Sequence, residues 1–168
     1  HRYATDARWL VPHFEKMLYD NALLAVAYLD GFQVSRRRDF LAVAVETLDY
    51  VAREMTDAAG GFYSATDADS AGPEGVDEEG RFFTWTPADV REVVVPEDVE
   101  LVLQAYGITD GGNFENGRSI VHAASGSDVI ARKLGLPLDA AKRKLDAARA
   151  ALYRSRASRP APAKDTKI

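Results

Sequence analysis

The fold turns on residues 9–29, WLVPHFEKMLYDNALLAVAYL, where an apolar helical pattern carries His13, Glu15, Lys16, Asp20 and Asn21. Pro12 suits a first helical turn, because the N–H that proline lacks has no intrahelical partner there. The periodicity therefore predicts a helix from about residue 12 to residue 33. At 100° per residue Phe14, Met17, Leu18, Leu24, Ala25 and Tyr28 share one broad face. Asn21 falls near the centre of that face, where an unpaired amide costs roughly 1–3 kcal/mol and so requires a partner. His13 and Asp20 fall on one edge, ~10 Å apart along the axis, too far to touch but able to flank a common cavity. The same residues also fit a core helix with a solvated edge, in which Lys16–Asp20 and Glu15–Tyr19 are ordinary i,i+4 pairs.

Outward from this segment, RRDFLAVAVETLDYVAREM (37–55) has Phe40, Val43, Ala44, Thr47, Leu48 and Val51 at helical spacing, and DAAGG (57–61) stops it. The two helices make a hairpin across a basic turn, Arg36–Arg38. GGFYSATDADS (60–70) and GRFFTWT (80–86) are aromatic and β-branched around a polar loop, which predicts a β-hairpin over about 61–85. Thr86, Pro87 and Asp89 read as N-cap, first-turn proline and capping-box partner of a further helix. PEDVELVLQAYGI (96–108) predicts another short helix, and Ser119–His122 a short strand. GSDVIARKLG (126–135) and PLDAAKRKLDAARAALYRSRA (137–157) predict two more helices, and the Pro- and Ala-rich tail after residue 157 is expected to be extended. Strands do not alternate regularly with helices, so a doubly wound sheet is excluded and a mainly α architecture of helical hairpins with a β-hairpin insertion is expected.

Composition narrows the function classes. The 168 residues include no cysteine, which excludes a disulfide, a thiolate nucleophile, Cys-ligated zinc and thiol redox chemistry in this chain. No apolar run reaches the ~20 residues of a membrane span and no signal pattern is visible, so no membrane partner and a cytoplasmic setting are expected. The net charge of −5 conceals eleven Lys and Arg against three Asp and Glu from Arg132 onward. That basic helix carries no interleaved aromatics beyond Tyr153 to stack bases, so it reads as a solvated face and not as a nucleic-acid surface.

The motifs HRYATDARWLVPHFEKMLYDNALLAVAYLD, GGFYSATDADS, FFTWTPADVREVV and AYGITDGGNFENGRSIVH resemble, in order and spacing, the spermatogenesis-associated thioredoxin-like proteins. The resemblance covers nearly the whole chain. It implies a larger protein, with a thioredoxin-like region followed by an (α/α)6 toroid similar to the N-acylglucosamine 2-epimerases and six-hairpin glycosidases. The present chain would be the first part of that toroid, its partner the remainder of its own full-length protein; the abrupt HRYATD and KDTKI ends carry the same expectation. The similar epimerases use histidines for proton abstraction and the glycosidases use carboxylates, but the motif around His13 belongs to this family and not to those enzymes.

On this reading His13, Asp20, Asp67 and Asp69 are the candidate catalytic groups, and Asn21, Trp9, Tyr3 and Ser70 the candidate contacts to a small-molecule sugar. His1 and His13 are the histidines near the first helix. Tyr63, Phe83 and Trp85 serve either as sugar platforms or as core. Asp67, Asp69, Gly72 and Glu78 occupy positions 1, 3, 6 and 12 of a calcium-loop pattern, but Ala71 and Glu74 break it and its flanks read as strands, so no metal is expected. No cofactor motif occurs, since the glycines of DGGNFENG (110–117) lack the Lys-Ser/Thr of a phosphate loop. Two functions from different classes follow: a carbohydrate-active or sugar-binding domain with acid/base chemistry in a central pocket, or a non-catalytic interaction module on the same fold.

Overall fold

The computed structural model describes residues 2–73 and 75–166; His1, residue 8 of the calcium-type pattern (Glu74) and residues 167–168 lie outside them. The chain forms two compact units, residues 1–79 with 162–168, and residues 80–161. About half of the described residues are helical, with small antiparallel sheets, in keeping with a mainly α chain.

In the first unit the helix expected from Pro12 begins six residues later. Residues 3–13 instead fold back on themselves: Thr5 N–H donates to Val11 O at 2.8 Å, His13 N–H to Tyr3 O at 3.0 Å, and Ala4 bridges Pro12. Neither bond needs an N–H from Pro12, so the proline fits an extended position as well as a helical one. Asp6 holds the turn, its carboxylate accepting the N–H groups of Val11, Leu10 and Arg8 at 2.7, 2.9 and 3.1 Å. The Val11 N–H foremost holds the Asp6 carboxyl below the usual range. The chain then forms β1 (Lys16–Met17) before α1 (Leu18–Ser35) starts.

α1 and α2 (Arg38–Glu54) form the expected hairpin. Each buries one alanine, Ala25 in α1 and Ala44 in α2. Gly31 belongs to the hairpin contact: a Cβ there would lie 2.9 Å from the Phe40 ring, which packs edge-on to Tyr28 at 5.6 Å. Arg36 ends α1 in the left-handed region at φ 60°, its N–H donating to Phe32 O. α1 carries apolar residues beyond its buried face, and Leu23, Val26 and Val34 are exposed in this segment.

The expected β-hairpin is present but smaller and shifted. β2 (Ala65–Thr66) pairs antiparallel with β1 on one side and with β5 (Lys164–Asp165) on the other. The hairpin proper is β3 (Asp69–Ala71) with β4 (Asp77–Glu79), lying inside the acidic loop. Residues 80–86 pair elsewhere: Trp85 bridges Ser119, through bonds of 2.9 and 2.7 Å. That single bridge replaces the strand expected at Ser119–His122.

The second unit packs α3 (Pro87–Val93), α4 (Val99–Tyr106), α5 (Ser127–Lys133) and α6 (Leu138–Ala157). The capping box expected from TPAD is formed, with Asp89 N–H on Thr86 Oγ1 at 3.1 Å and Thr86 N–H on Asp89 Oδ2 at 3.0 Å. Trp85, Val90, Val102, Ile108 and Leu152 form one apolar cluster; Leu101, Ile130 and Ala141 belong to another. Trp85, one of the possible sugar platforms, is therefore core. Gly107 closes α4 at φ 64°, and a Cβ there would meet the His122 ring at 2.3 Å.

A charged cluster locks the start of this unit. Arg118, 6% exposed, donates to Thr84 Oγ1 at 2.9 Å, Thr84 O at 2.5 Å and Asp89 Oδ2 at 2.9 Å. Arg159 lies 3.9 Å from the Trp85 ring centroid and donates to the carbonyls of Thr84 and Phe82. Its Nη2 is 3.5 Å from Asp89. Burial is the main cause that lowers the Arg159 pKa to about 10, against the attraction of Asp89. For Asp89 burial pushes upward, but the Thr86 N–H and the two guanidinium groups together hold it below the usual carboxylate range.

Candidate functional site

The polar groups of the opening segment gather in the first unit, though not on one helix edge as expected. His13 sits in the extended stretch before β1, and Asp20 in the first turn of α1. They are joined by a residue that periodicity did not single out, Arg2. Its Nη1 lies 3.1 Å from Glu15 Oε2, 3.2 Å from Tyr19 Oη and 3.8 Å from Asp20 Oδ2. Both carboxylate oxygens are within 4 Å of one guanidinium nitrogen, so one cation holds the two side chains together.

His13 completes the cluster. Its ring stacks on Tyr3 with centroids 4.9 Å apart at 23°, and its Nδ1 is 3.9 Å from the same Glu15 oxygen that meets Arg2. The Arg2 guanidinium also lies 5.4 Å from the Tyr3 ring centroid. The expected i,i+4 pairs are replaced, because residues 15 and 16 are not helical. Lys16 Nζ donates to Phe14 O at 2.9 Å, while Glu15 and Tyr19 meet through Arg2. Asp20 Oδ2 is enclosed by protein and has no hydrogen-bond partner among the described residues, Arg2 being its charged neighbour. The cavity bounded by Arg2, Lys16, Met17, Asp20, Asn21 and Leu24 measures about 10 Å³, at most about one water.

The Asn21 amide is paired: Nδ2 donates to Met17 O at 2.7 Å and to Met55 Sδ at 3.8 Å. The first bond ties the amide to the residue before α1, the second to Met55, which caps the end of α2.

The acidic loop approaches this cluster through the backbone. Lys16 pairs with Thr66 and Met17 with Ala65, so Glu15 and Asp67 leave the same end of the ladder. The Asp67 carboxylate is turned onto its own loop, accepting the N–H groups of Ala68 at 2.7 Å and Asp69 at 3.3 Å, an Asx-turn. Among the described residues neither Asp67 nor Asp69 makes a hydrogen bond or ion pair with residues 13–21. Ser70 is buried in β3 opposite Glu78. Trp9 stands out at 83% exposure on the tip of the folded-back loop, at φ 59°. Tyr63 donates to Asp57 at 2.5 Å, and Phe83 packs edge-on against Phe82. The described residues contain no group of three His, Asp or Glu arranged to hold a metal ion, and no helix among them is long and apolar enough to cross a membrane.

Comparison with known proteins follows the motif resemblance. Over its whole length the chain is 37% identical to human spermatogenesis-associated protein 20 and 35% identical to the rat protein of that name. Its human, rat and mouse relatives carry that name. An uncharacterised Caenorhabditis elegans protein, B0495.5, is 27% identical, again over the whole chain. The chain spans about a quarter of the length of these relatives, 24% of the mammalian proteins and 26% of the nematode one. No family model matches it. These names support the family resemblance carried by the motifs and assign no reaction.

Proposed function

We propose that the full-length protein is a carbohydrate-active or sugar-binding protein with acid/base chemistry in the central pocket of an (α/α)6 toroid, residues 1–79 of this chain supplying one wall. The observation that carries this reading is the convergence of Glu15 and Asp20 on Arg2 beside His13. Two neighbouring carboxylates and an imidazole are the groups that protonate or deprotonate a sugar oxygen or carbon. Tyr3 offers a ring face for sugar C–H groups, and Trp9 a second exposed one. α1 supports the toroid part of the reading, because the exposed Leu23, Val26 and Val34 suit a further layer of helices packed against it.

The test is titration calorimetry of the full-length protein with a panel of mono- and disaccharides at millimolar concentration, repeated with Glu15→Gln and Asp20→Asn. Saturable binding that either variant weakens supports the reading; no heat with any sugar sinks it. The rival reading, a non-catalytic interaction module on the same fold, is favoured by one observation: the cavity at the cluster has room for at most about one water, and Arg2 already neutralises charge there.

A further inference from the structure

We propose a second ligand site, in residues 80–161: a cleft that takes a small phosphorylated sugar. The cleft measures about 460 Å³, within the ~300–1,000 Å³ of small-molecule pockets. Arg91 in the last turn of α3 and Lys133 at the end of α5 reach it, with Glu100 and Gln104 of α4 and the loop residues Asp110 and Ser125. Several other charges of this unit form pairs: Asp98 with Lys144, Asp89 with Arg118, Asp128 with Arg132. Among the described residues Arg91, Lys133 and Asp110 make no ion pair or side-chain hydrogen bond, although all three line one concavity.

The chemistry of these groups selects the ligand. Two cations without partners suit the dianion of a phosphomonoester, the guanidinium by paired N–H donors and the ammonium as a point charge. Asp110 accepts from hydroxyl groups. Glu100, whose Oε1 is engaged by Gln104 Nε2, keeps its other oxygen for the same purpose, and the Gln104 carbonyl is oriented with it. A lining without any aromatic residue has no platform for a nucleobase, which favours a sugar phosphate over a nucleotide. The site is independent of the Glu15–Asp20 cluster and goes beyond the activity proposed for it.

The experiment is calorimetry on the full-length protein with glucose 6-phosphate, glucose and inorganic phosphate as probes. Glucose 6-phosphate is expected to bind saturably at or below about 1 mM, inorganic phosphate more weakly, and glucose not at this site. Arg91→Ala with Lys133→Ala should weaken glucose 6-phosphate at least about tenfold. Asp110→Asn should weaken glucose 6-phosphate while leaving inorganic phosphate unchanged. These side chains are exposed, so an unchanged melting temperature should accompany each variant. Asp20→Asn should leave the phosphorylated ligand unaffected, which separates failure of this proposal from failure of the pocket reading. Absence of saturable binding by glucose 6-phosphate, or binding that survives loss of both cations, overturns it.

Discussion

Replacing Asp89 by Ala removes two things at once. It deletes the acceptor that closes the α3 capping box, and the carboxylate that meets both Arg118 and Arg159. Loss of a capping partner costs about 1 kcal/mol. Stripping a buried guanidinium of its counter-charge costs about 3–5 kcal/mol, but the Asp89 side chain is 31% exposed, and water screens that part down to about 1–2 kcal/mol. The sum is a loss of about 2–3 kcal/mol. Asp89→Asn keeps an oxygen for the Thr86 N–H and loses only the charge, so about 1–2 kcal/mol is expected. The acid dependence has a fixed sign. The carboxyl is depressed in the folded protein, so its stabilisation is present above the unfolded value of about 4 and is lost as pH falls through the lower folded value. Hydrogen exchange at Val90, whose N–H closes the first turn of α3 onto Thr86 O, reads the local stability, with urea unfolding of the same variants as the global measure. A loss below about 0.5 kcal/mol for Asp89→Ala, the usual range for a surface change, would refute the reasoning.

Gly107→Ala should destabilise by about 1–3 kcal/mol, since it strains a left-handed residue and drives a Cβ into His122; thermal melting checks it. Arg36→Gly should stabilise by about 0.5–1 kcal/mol by relieving the left-handed arginine at the end of α1, seen as a rise in urea midpoint. Leu23→Asp should cost at least about 2 kcal/mol in the full-length protein if α1 is covered there; a melting temperature equal to that of the parent would show α1 exposed and count against the toroid. Asp6→Ala should loosen the loop of residues 3–13, detected as faster exchange of the Val11 N–H, with the parent losing the same protection as acid protonates a carboxyl held below its usual range.

What the sequence determined by itself is local. Thr86, Pro87 and Asp89 lie within one turn, so the capping box was legible before any tertiary contact was known. The periodicities of α2, α5 and α6 likewise needed no partner, because a 3.6-residue repeat declares a buried face from side-chain chemistry alone. Tertiary structure decided the rest. β1, β2 and β5 are two residues each, too short to leave a pattern, and they exist because Ser64 N–H finds Asp165 O across 100 intervening residues. That pairing, with the Asp6 turn, holds residues 13–17 extended and delays α1, although the local pattern suits a helix from Pro12. The candidate site followed the same division. His13 and Asp20 stood out as polar residues beside an apolar face, whereas Arg2 was invisible until the chain folded back from Pro12 to Ala4 and set its guanidinium between Glu15 and Asp20. Periodicity reports which face a residue occupies within one element; which charges meet depends on how the chain returns, and that is fixed by hydrogen bonds between distant residues.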